Sequence, residues 1–192
     1  MSGVIHVGAH KGEEVASYLK AGRFPIILFE PQIFEWKAKH GVMLVNVALS
    51  NFNGSMQMLI PHHLDDGSKL DTMSASGLML NHENAIANGW TPTDFDLLVV
   101  PVVRFDDWAP MNYPPQSCKT LNIDVQGMEL QVLEGFGKYL EEFNDLTIEC
   151  SSPPLYEGGA PAEVVVDYLE SKGFHAASPI LRHGDIKFNR RR

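Results

Sequence analysis

The sequence predicts an α/β fold built on one mostly parallel β-sheet, and three observations support this prediction. First, the β-forming run Val4 to Val7 leads into Gly8 and Gly12, and an apolar helical pattern follows them. Second, further apolar runs at 25–29 and 42–47 continue a β-α-β-α-β order through the first half of the chain. Third, the second half alternates short buried runs with helical spacing, as parallel sheets covered by helices do.

The first turn has the properties of a cofactor-binding turn. A glycine at position 8, where the first strand ends, lets the backbone bend beneath a ligand that a Cβ would push away. The helix is predicted to begin near Lys11, which places Glu13 and Glu14 in its first turn, where the helix macrodipole favours carboxylates. Gly22 would end this helix.

The spacing of this turn favours a nucleoside over a dinucleotide. A dinucleotide site requires G-x-G-x-x-G, because the pyrophosphate approaches the second glycine, and here Ala9 and His10 fill that space. The phosphate-binding motif G-x-x-x-x-G-K-[ST] does not occur in the sequence either. The second strand ends at Glu30, about 20 residues after the turn, where a carboxylate accepts hydrogen bonds from a ribose diol. The plainer alternative is that Glu30 is a solvated carboxylate and that Gly8 and Gly12 are ordinary turn residues.

The remaining elements continue the α/β order. Apolar periodicity, glycines and prolines mark their positions. The predicted elements are a helix at 32–40, a strand at 42–47, a strand at 120–124 ending in Asp124, a helix from Gly127 to Gly135, a strand at 146–149, a helix from Pro161 to Gly173, and a tail hairpin with strands at 174–180 and 185–189 around Arg182-His183-Gly184.

The middle of the chain departs from this order. Residues 55–60 and 98–104 read as strands, whereas 61–97 reads as a mostly irregular region. A connection this long is usually functional or mobile. We therefore expect one domain, 1–192, in which an insertion at 52–104 forms a substrate-facing lid, and a disordered surface insertion is the alternative.

Composition narrows the partners and the compartment. The net charge of −9 argues against a nucleic-acid partner, because phosphate binding needs clustered Lys and Arg. No stretch approaches 18 apolar residues and no signal peptide precedes the first strand, so neither a membrane partner nor export is expected. We expect a cytoplasmic protein in which Cys118 and Cys150 are reduced thiols. Edge strands and a Met-rich apolar patch leave a homo-oligomer possible.

Several blocks spread over nearly the whole chain resemble the FkbM-type methyltransferases, a branch of the class I methyltransferases that use S-adenosyl-L-methionine (SAM). The block at 121–135 is the most specific of them. Many relatives carry Asp where this chain has His6, so no carboxylate role can be carried over to that position. The blocks are I-H-V-G-A-H-K-G-E-E at 5–14, L-F-E-P at 28–31, V-N-V-A-L-S-N at 45–51, P-V-V-R-F-D-D-W at 101–108, L-N-I-D-V-Q-G-M-E-L-Q-V-L-E-G at 121–135, L-Y-E-G at 155–158 and H-G-D-I-K-F at 183–188.

This resemblance implies a three-layer, Rossmann-like class I methyltransferase fold whose mostly parallel sheet has an antiparallel C-terminal strand. It also implies SAM as the cofactor, lying at the carboxyl ends of the strands, where ligands of open α/β sheets bind. The expected cofactor contacts are Gly8, Ala9, His10 and Gly12 around the methionine part, Glu30 at the ribose, Ala48 and Leu49 beside the adenine with Asn46 or Ser50 as a polar edge, and Asp124 near the methionine amino group and the methyl group.

The expected activity is O-methylation of a small-molecule or glycan hydroxyl. Such a reaction needs alignment of the acceptor and a base for the hydroxyl proton, and the candidate bases are Asp124, Glu149 and His10. No diagnostic metal spacing occurs, so no metal is assigned. A non-catalytic module that keeps the SAM fold is the alternative function, and an NAD-type oxidoreductase is disfavoured by the missing second glycine.

Overall fold

The computed structural model describes residues 2–37, 39–64, 66–69, 75–87, 89, 91–114 and 117–190. The strands are β1 (Gly3–Val7), β2 (Ile26–Phe29), β3 (Val42–Val45), β4 (Ala48–Leu49), β5 (Gly54–Leu64), β6 (Pro92–Val103), β7 (Cys118–Ile123), β8 (Asp145–Ser151), β9 (Phe174–Ala176) and β10 (His183–Arg190). The helices are α1 (Val15–Lys20), α2 (His82–Ala87), α3 (Phe105–Asn112), α4 (Glu129–Phe136) and α5 (Ala162–Ser171), with a 3₁₀ helix at Gly137–Glu142.

The larger sheet confirms the predicted fold class. Its strands follow the order β3-β2-β1-β7-β8-β10-β9. Strands β3, β2, β1, β7 and β8 are parallel, whereas β10 runs antiparallel to both β8 and β9. The chain builds outward from β1 in one direction and then from β7 in the other. The switch point at which a ligand is expected therefore lies between β1 and β7.

Helices lie on both faces of this sheet. One face packs Ile5 and Phe29 into a large core with residues of α3, α4 and α5. The other face packs Val4 and Leu28 against Val15 of α1 in a smaller core. Successive strand side chains point to opposite faces, which explains why neighbouring residues of β1 belong to different cores.

On the α1 side, β8 and β10 present a polar surface. Leu146 and Ile148 of β8 are buried on the helix-covered face, while Thr147 and Glu149 between them are only partly buried. Strand β10 alternates in the same way, with Asp185 and Lys187 exposed. Glu149 therefore faces an open, polar side of the sheet.

Two predicted helix positions were wrong. Residues 32–37 form no helix, because side chains form hydrogen bonds with backbone groups at the start of this segment. The Glu30 carboxylate accepts the Gln32 N–H at 2.8 Å, and Asn46 donates to the Glu30 carbonyl at 3.2 Å. Helix α1 begins at Val15 rather than near Lys11, because His10 and Gly12 adopt positive φ of 44° and 74° and form a separate turn.

The prediction that 61–97 is mostly irregular was wrong at both ends of this range and at α2, while 65, 70–74, 88 and 90 lie outside the described residues. Strand β5 continues to Leu64 and β6 already begins at Pro92, and the two pair antiparallel over most of their length. The polar residues of this ribbon break the apolar pattern by which a strand is recognised in a sequence. In the structure they pair between the two strands: His63 Nδ1 lies 3.0 Å from Asp94, and His62 Nε2 lies 2.9 Å from Asp96. With β4, these strands form a second, three-stranded sheet.

Helix α3 was missed, and the tail hairpin was misplaced. Asp106 and Asp107 lie in the first turn of α3, not in a turn before Trp108, and Arg104 holds Asp106 at 2.6 Å. Strand β9 ends at Ala176, and β10 already begins at His183, because the 183 position pairs with Ser151 of β8.

Candidate active site

A cleft of about 600 Å³ opens at the carboxyl ends of β1, β2 and β7, on the switch point. Apolar side chains dominate its wall, and a few polar side chains, among them Glu30 and Asp124, interrupt it. The lining residues used below are Gly8, Glu30, Ala48, Leu49, Met58 and Asp124.

Gly8 brings β1 and β7 close together at the base of the cleft. It has a φ of +79°, and a Cβ added there would lie 1.7 Å from the Asp124 carbonyl oxygen. Only glycine combines this left-handed conformation with so close an approach. The first glycine of the predicted turn therefore shapes the site.

Glu30 is oriented by backbone donors. Each of its carboxylate oxygens accepts one N–H, from His10 and from Gln32, both at 2.8 Å. The side chain is 4% exposed, and burial raises the pKa of its carboxyl. A carboxylate has about four acceptor sites, and the Gln32 side chain also hydrogen-bonds to Glu30, so the two backbone donors and Gln32 leave part of this capacity open.

The insertion supplies an apolar wall opposite Glu30. Ala48 and Leu49 of β4 lie in the cleft together with Met58 of β5 and Val100 of β6. Met58, Ala75 and Val100 form a small core of their own. The second sheet therefore supplies part of the apolar wall of the cleft.

A second cavity of about 710 Å³ adjoins the cleft and is strongly polar. It shares Gly8, His10, Asp124 and Gln126 with the cleft. The described residues that line it include no Lys or Arg. Its other lining residues are His6, Ala9, Glu13, Glu14, Glu149 and His183.

Asp124 and Glu149 come together at the border of this cavity. Burial, and then the neighbouring Glu149 charge, raise the pKa of Asp124 to about 7. Burial also raises the pKa of Glu149. The Gln126 amide nitrogen donates to both carboxylates, at 2.6 Å to Asp124 and 2.9 Å to Glu149. The structure thus joins two of the three predicted bases in one unit.

Three histidines surround this unit. His10 Nδ1 lies 2.8 Å from Glu13 Oε1, and its ring packs edge-on against Phe34. His6 is buried, which lowers its pKa, and its Nδ1 lies 3.1 Å from the Tyr18 hydroxyl. His183 Nε2 lies 3.6 Å from Glu149 Oε1. The sequence predicted that Glu13 stabilises the first turn of the helix. In the structure Glu13 instead pairs with His10, and α1 begins only at Val15.

Some predicted site residues do not reach the cleft. Gly12 lies under the Trp36 ring, where an added Cβ would be 2.6 Å from the ring carbon Cζ3. Asn46 supports the backbone after β2 by donating to the carbonyls of Glu30 and Gln32. Ser50 is fully buried beneath α4, against Gly135. These three residues support the site from behind.

Sequence reasoning missed Gln126 and Glu129, and it considered Tyr156 only for stacking on a sugar ring, although all three lie in blocks that resemble the family. Glu129 is 5% exposed, its carboxylate accepts the Gly127 N–H at 3.0 Å, and burial raises its pKa to about 7. Tyr156 packs against Gly127 and donates from its hydroxyl to the Gln126 amide oxygen at 2.9 Å. An acidic residue in the first turn of a helix that follows a carboxylate-ended strand was the signal available for Glu129.

Other sequence features have ordinary structural roles. Cys118 and Cys150 are buried, unbonded thiols. In the described part of the chain, His, Cys, Asp and Glu side chains form no group of three or more that could hold a metal ion. None of the described helices combines the length and apolar character needed to cross a bilayer. Trp90 lies outside the described residues.

The fold and the site together define a Rossmann-like methyltransferase fold with a cleft at its switch point. The Methyltransferase FkbM domain matches residues 6–176, and the chain belongs to this family. It is also similar to the 2-O-methyltransferase NoeI of Sinorhizobium fredii, with 25% identity over 191 residues that cover 95% of this chain and 77% of the relative.

Proposed function

We propose that this protein transfers a methyl group from SAM to a hydroxyl of a small molecule or glycan. One observation carries the proposal: Glu30 and Asp124 line the same cleft on the switch point, and Asp124 joins Glu149 in the cavity that adjoins it. The FkbM family membership and the similarity to a 2-O-methyltransferase support methyl transfer.

The lining residues fit the parts of SAM. Glu30 would accept the two ribose hydroxyls on the acceptor sites that its backbone donors leave. Ala48, Leu49 and Met58 offer an apolar surface for the adenine. The methionine part would face the polar cavity, whose carboxylates suit a positive ammonium and sulfonium in a site of reduced dielectric.

The chain's own residues would then align the acceptor and remove its proton. Bound SAM supplies a methyl group activated by its sulfonium. Transfer of this methyl group to the acceptor oxygen would leave the electrons of the broken carbon–sulfur bond on sulfur. The hydroxyl proton passes to the unit formed by Asp124 and Glu149, the best placed of the candidate bases. His10 would be a support for the turn, since its ring is held by Glu13.

The polar cavity also indicates the charge of the acceptor. Glu13, Glu14, Asp124 and Glu149 line it, and the described lining residues offer no Lys or Arg to hold a phosphate or a carboxylate. An anionic acceptor would lose favourable solvation and gain repulsion there. We therefore expect neutral hydroxyl acceptors.

The insertion at 52–104 is proposed to contribute to the substrate side of the site, within a single domain. Its two long strands place Met56, Met58 and Val100 on the cleft. These side chains would shield the reacting atoms from water on that side.

Calorimetric titration of SAM, its demethylated product and NAD tests the cofactor. Micromolar binding of the first two, without NAD binding, is the expected result. A methyl-donor assay against a panel of neutral glycans, with mass detection of one added methylene, tests the reaction. Absence of SAM binding would overturn the proposal, whereas SAM binding without transfer to any acceptor would favour a non-catalytic module.

A further inference from the structure

We propose that Gln126 is a positioning residue that clamps Asp124 and Glu149 together, so that the two carboxylates act as one proton-accepting pair. This inference rests on the proposed function, which assigns the pair its substrate. The clamp is not part of the family match, which identifies no role for any residue.

The side-chain amide of Gln126 is fully engaged. Its nitrogen has two hydrogens, and it donates to Asp124 Oδ1 at 2.6 Å and to Glu149 Oε2 at 2.9 Å. Its oxygen accepts the Tyr156 hydroxyl proton at 2.9 Å. A flipped amide would turn its oxygen towards two carboxylates and its nitrogen towards a donor, so Tyr156 sets the orientation of the clamp.

The backbone of Gln126 is held equally firmly. Its φ of 58° is left-handed, which is uncommon for a residue other than glycine and marks a position fixed by its surroundings. Ser76, from the insertion, donates its hydroxyl to the Gln126 carbonyl at 2.6 Å. This backbone directs the Gln126 amide across the gap between β7 and β8. The insertion is therefore linked, through Ser76 and Gln126, to the two carboxylates of Asp124 and Glu149.

The electrostatic setting explains why a neutral donor is needed between the acids. Asp124 and Glu149 hydrogen-bond directly to each other through their side chains, but they repel each other when both are charged, and Glu129 on α4 and Asp185 on β10 add negative charge near them. His183 on β10 lies near Glu149, and His6, His10, Glu13 and Glu14 line the same cavity. Two N–H donors stabilise the form with one negative charge, which is the form that can accept a proton from the substrate.

The test compares Gln126→Asn with wild type. Asn tolerates the left-handed backbone but is one methylene shorter, so the variant keeps the turn and withdraws the donors. We expect the midpoint of the titration of the Asp124–Glu149 pair to rise by about one pH unit. ¹³C NMR of the Asp and Glu carboxyls measures this midpoint, and the variants Asp124→Asn and Glu149→Gln assign the signals. Tyr156→Phe should move it in the same direction by less, and Gln57→Asn on the exposed side of β5 should leave it in place.

The same change should appear in catalysis. The rising limb of the pH profile of kcat should move to higher pH in Gln126→Asn. A titration midpoint equal to that of wild type in the folded variant would overturn the clamp, whether or not the wild type transfers methyl groups. If the midpoint moves but wild type methylates no acceptor, the proposed function fails and the clamp on the acid pair stands.

Discussion

Replacing Glu30 by Gln tests the assignment of the ribose site directly. In the protein, each Glu30 oxygen accepts a backbone N–H at 2.8 Å, and the proposed function assigns the carboxylate to the ribose hydroxyls. The Gln amide has nearly the same shape, but it replaces one of the two acceptor oxygens with an NH₂ group. One hydroxyl then loses its acceptor, and one backbone N–H faces a donor.

The expected loss can be estimated from these contacts. A hydrogen bond to a charged group contributes about 1.5 to 3 kcal/mol, and the variant removes one such bond to the ligand. The dissociation constant for SAM should therefore increase roughly 10- to 150-fold. The demethylated product should weaken by the same factor, because both ligands carry the same ribose.

Isothermal titration calorimetry of both ligands measures this change, with thermal unfolding to verify that the variant is folded. Glu35→Gln provides a matched control, because Glu35 follows the same strand but is exposed. If folded Glu30→Gln binds SAM as tightly as wild type does, the ribose role of Glu30 is wrong.

Three further predictions concern the base of the cleft, the acid pair and the acceptor. Gly8→Ala should lower the unfolding free energy by more than about 2 kcal/mol in urea titrations, because the added Cβ meets the Asp124 carbonyl. Gly89 has a φ of +71° and open space around it, so Gly89→Ala should lower the unfolding free energy by only about 1 kcal/mol. Equal losses in the two variants would refute the close approach at Gly8. The pKa of Asp124 is raised from 3.8 to about 7, so the folded state binds this proton more tightly than the unfolded chain, and wild-type stability should fall as the pH rises through that window. Asp124→Asn removes this loss, so its stability relative to wild type should increase by up to about 4 kcal/mol between about pH 4 and pH 8, and a constant difference would show that Asp124 titrates normally. Finally, a neutral glycoside should be methylated with a higher kcat/KM than its uronic acid counterpart, and Glu13→Gln/Glu14→Gln should narrow the difference; a preference for the acid would contradict the charge argument.

The main sheet was predictable because its strands carry strong local signals. Val4 to Val7 and 25–29 are short apolar runs bounded by glycine, proline or an acid, and β1 and β2 lie there. Positions at the ends of such strands follow from topology alone, which is why the expectation that Gly8, Glu30 and Asp124 share one cleft agrees with the geometry.

The missed parts depend on tertiary contacts. The region after Glu30 has helical spacing, but side chains from Glu30 and Asn46 bind its backbone and prevent a helix. The β5–β6 ribbon could not be predicted because its histidines and aspartates look like loop residues in the sequence. Their partners lie on the opposite strand. Gln126 carries no signal of its own, because its importance arises from Glu149 and Tyr156, which are distant in sequence.

Strand β10 has a consequence for any shortened form of the chain. The family match ends at residue 176, yet β10 lies beyond it, pairs with β8 along its length, and buries Ile186 and Phe188 completely. A chain cut after residue 176 would lose these two side chains from the core and leave the hydrogen-bonding edge of β8 bare. Such an edge recruits other strands, so the shortened protein should aggregate, and it would lack His183 beside Glu149.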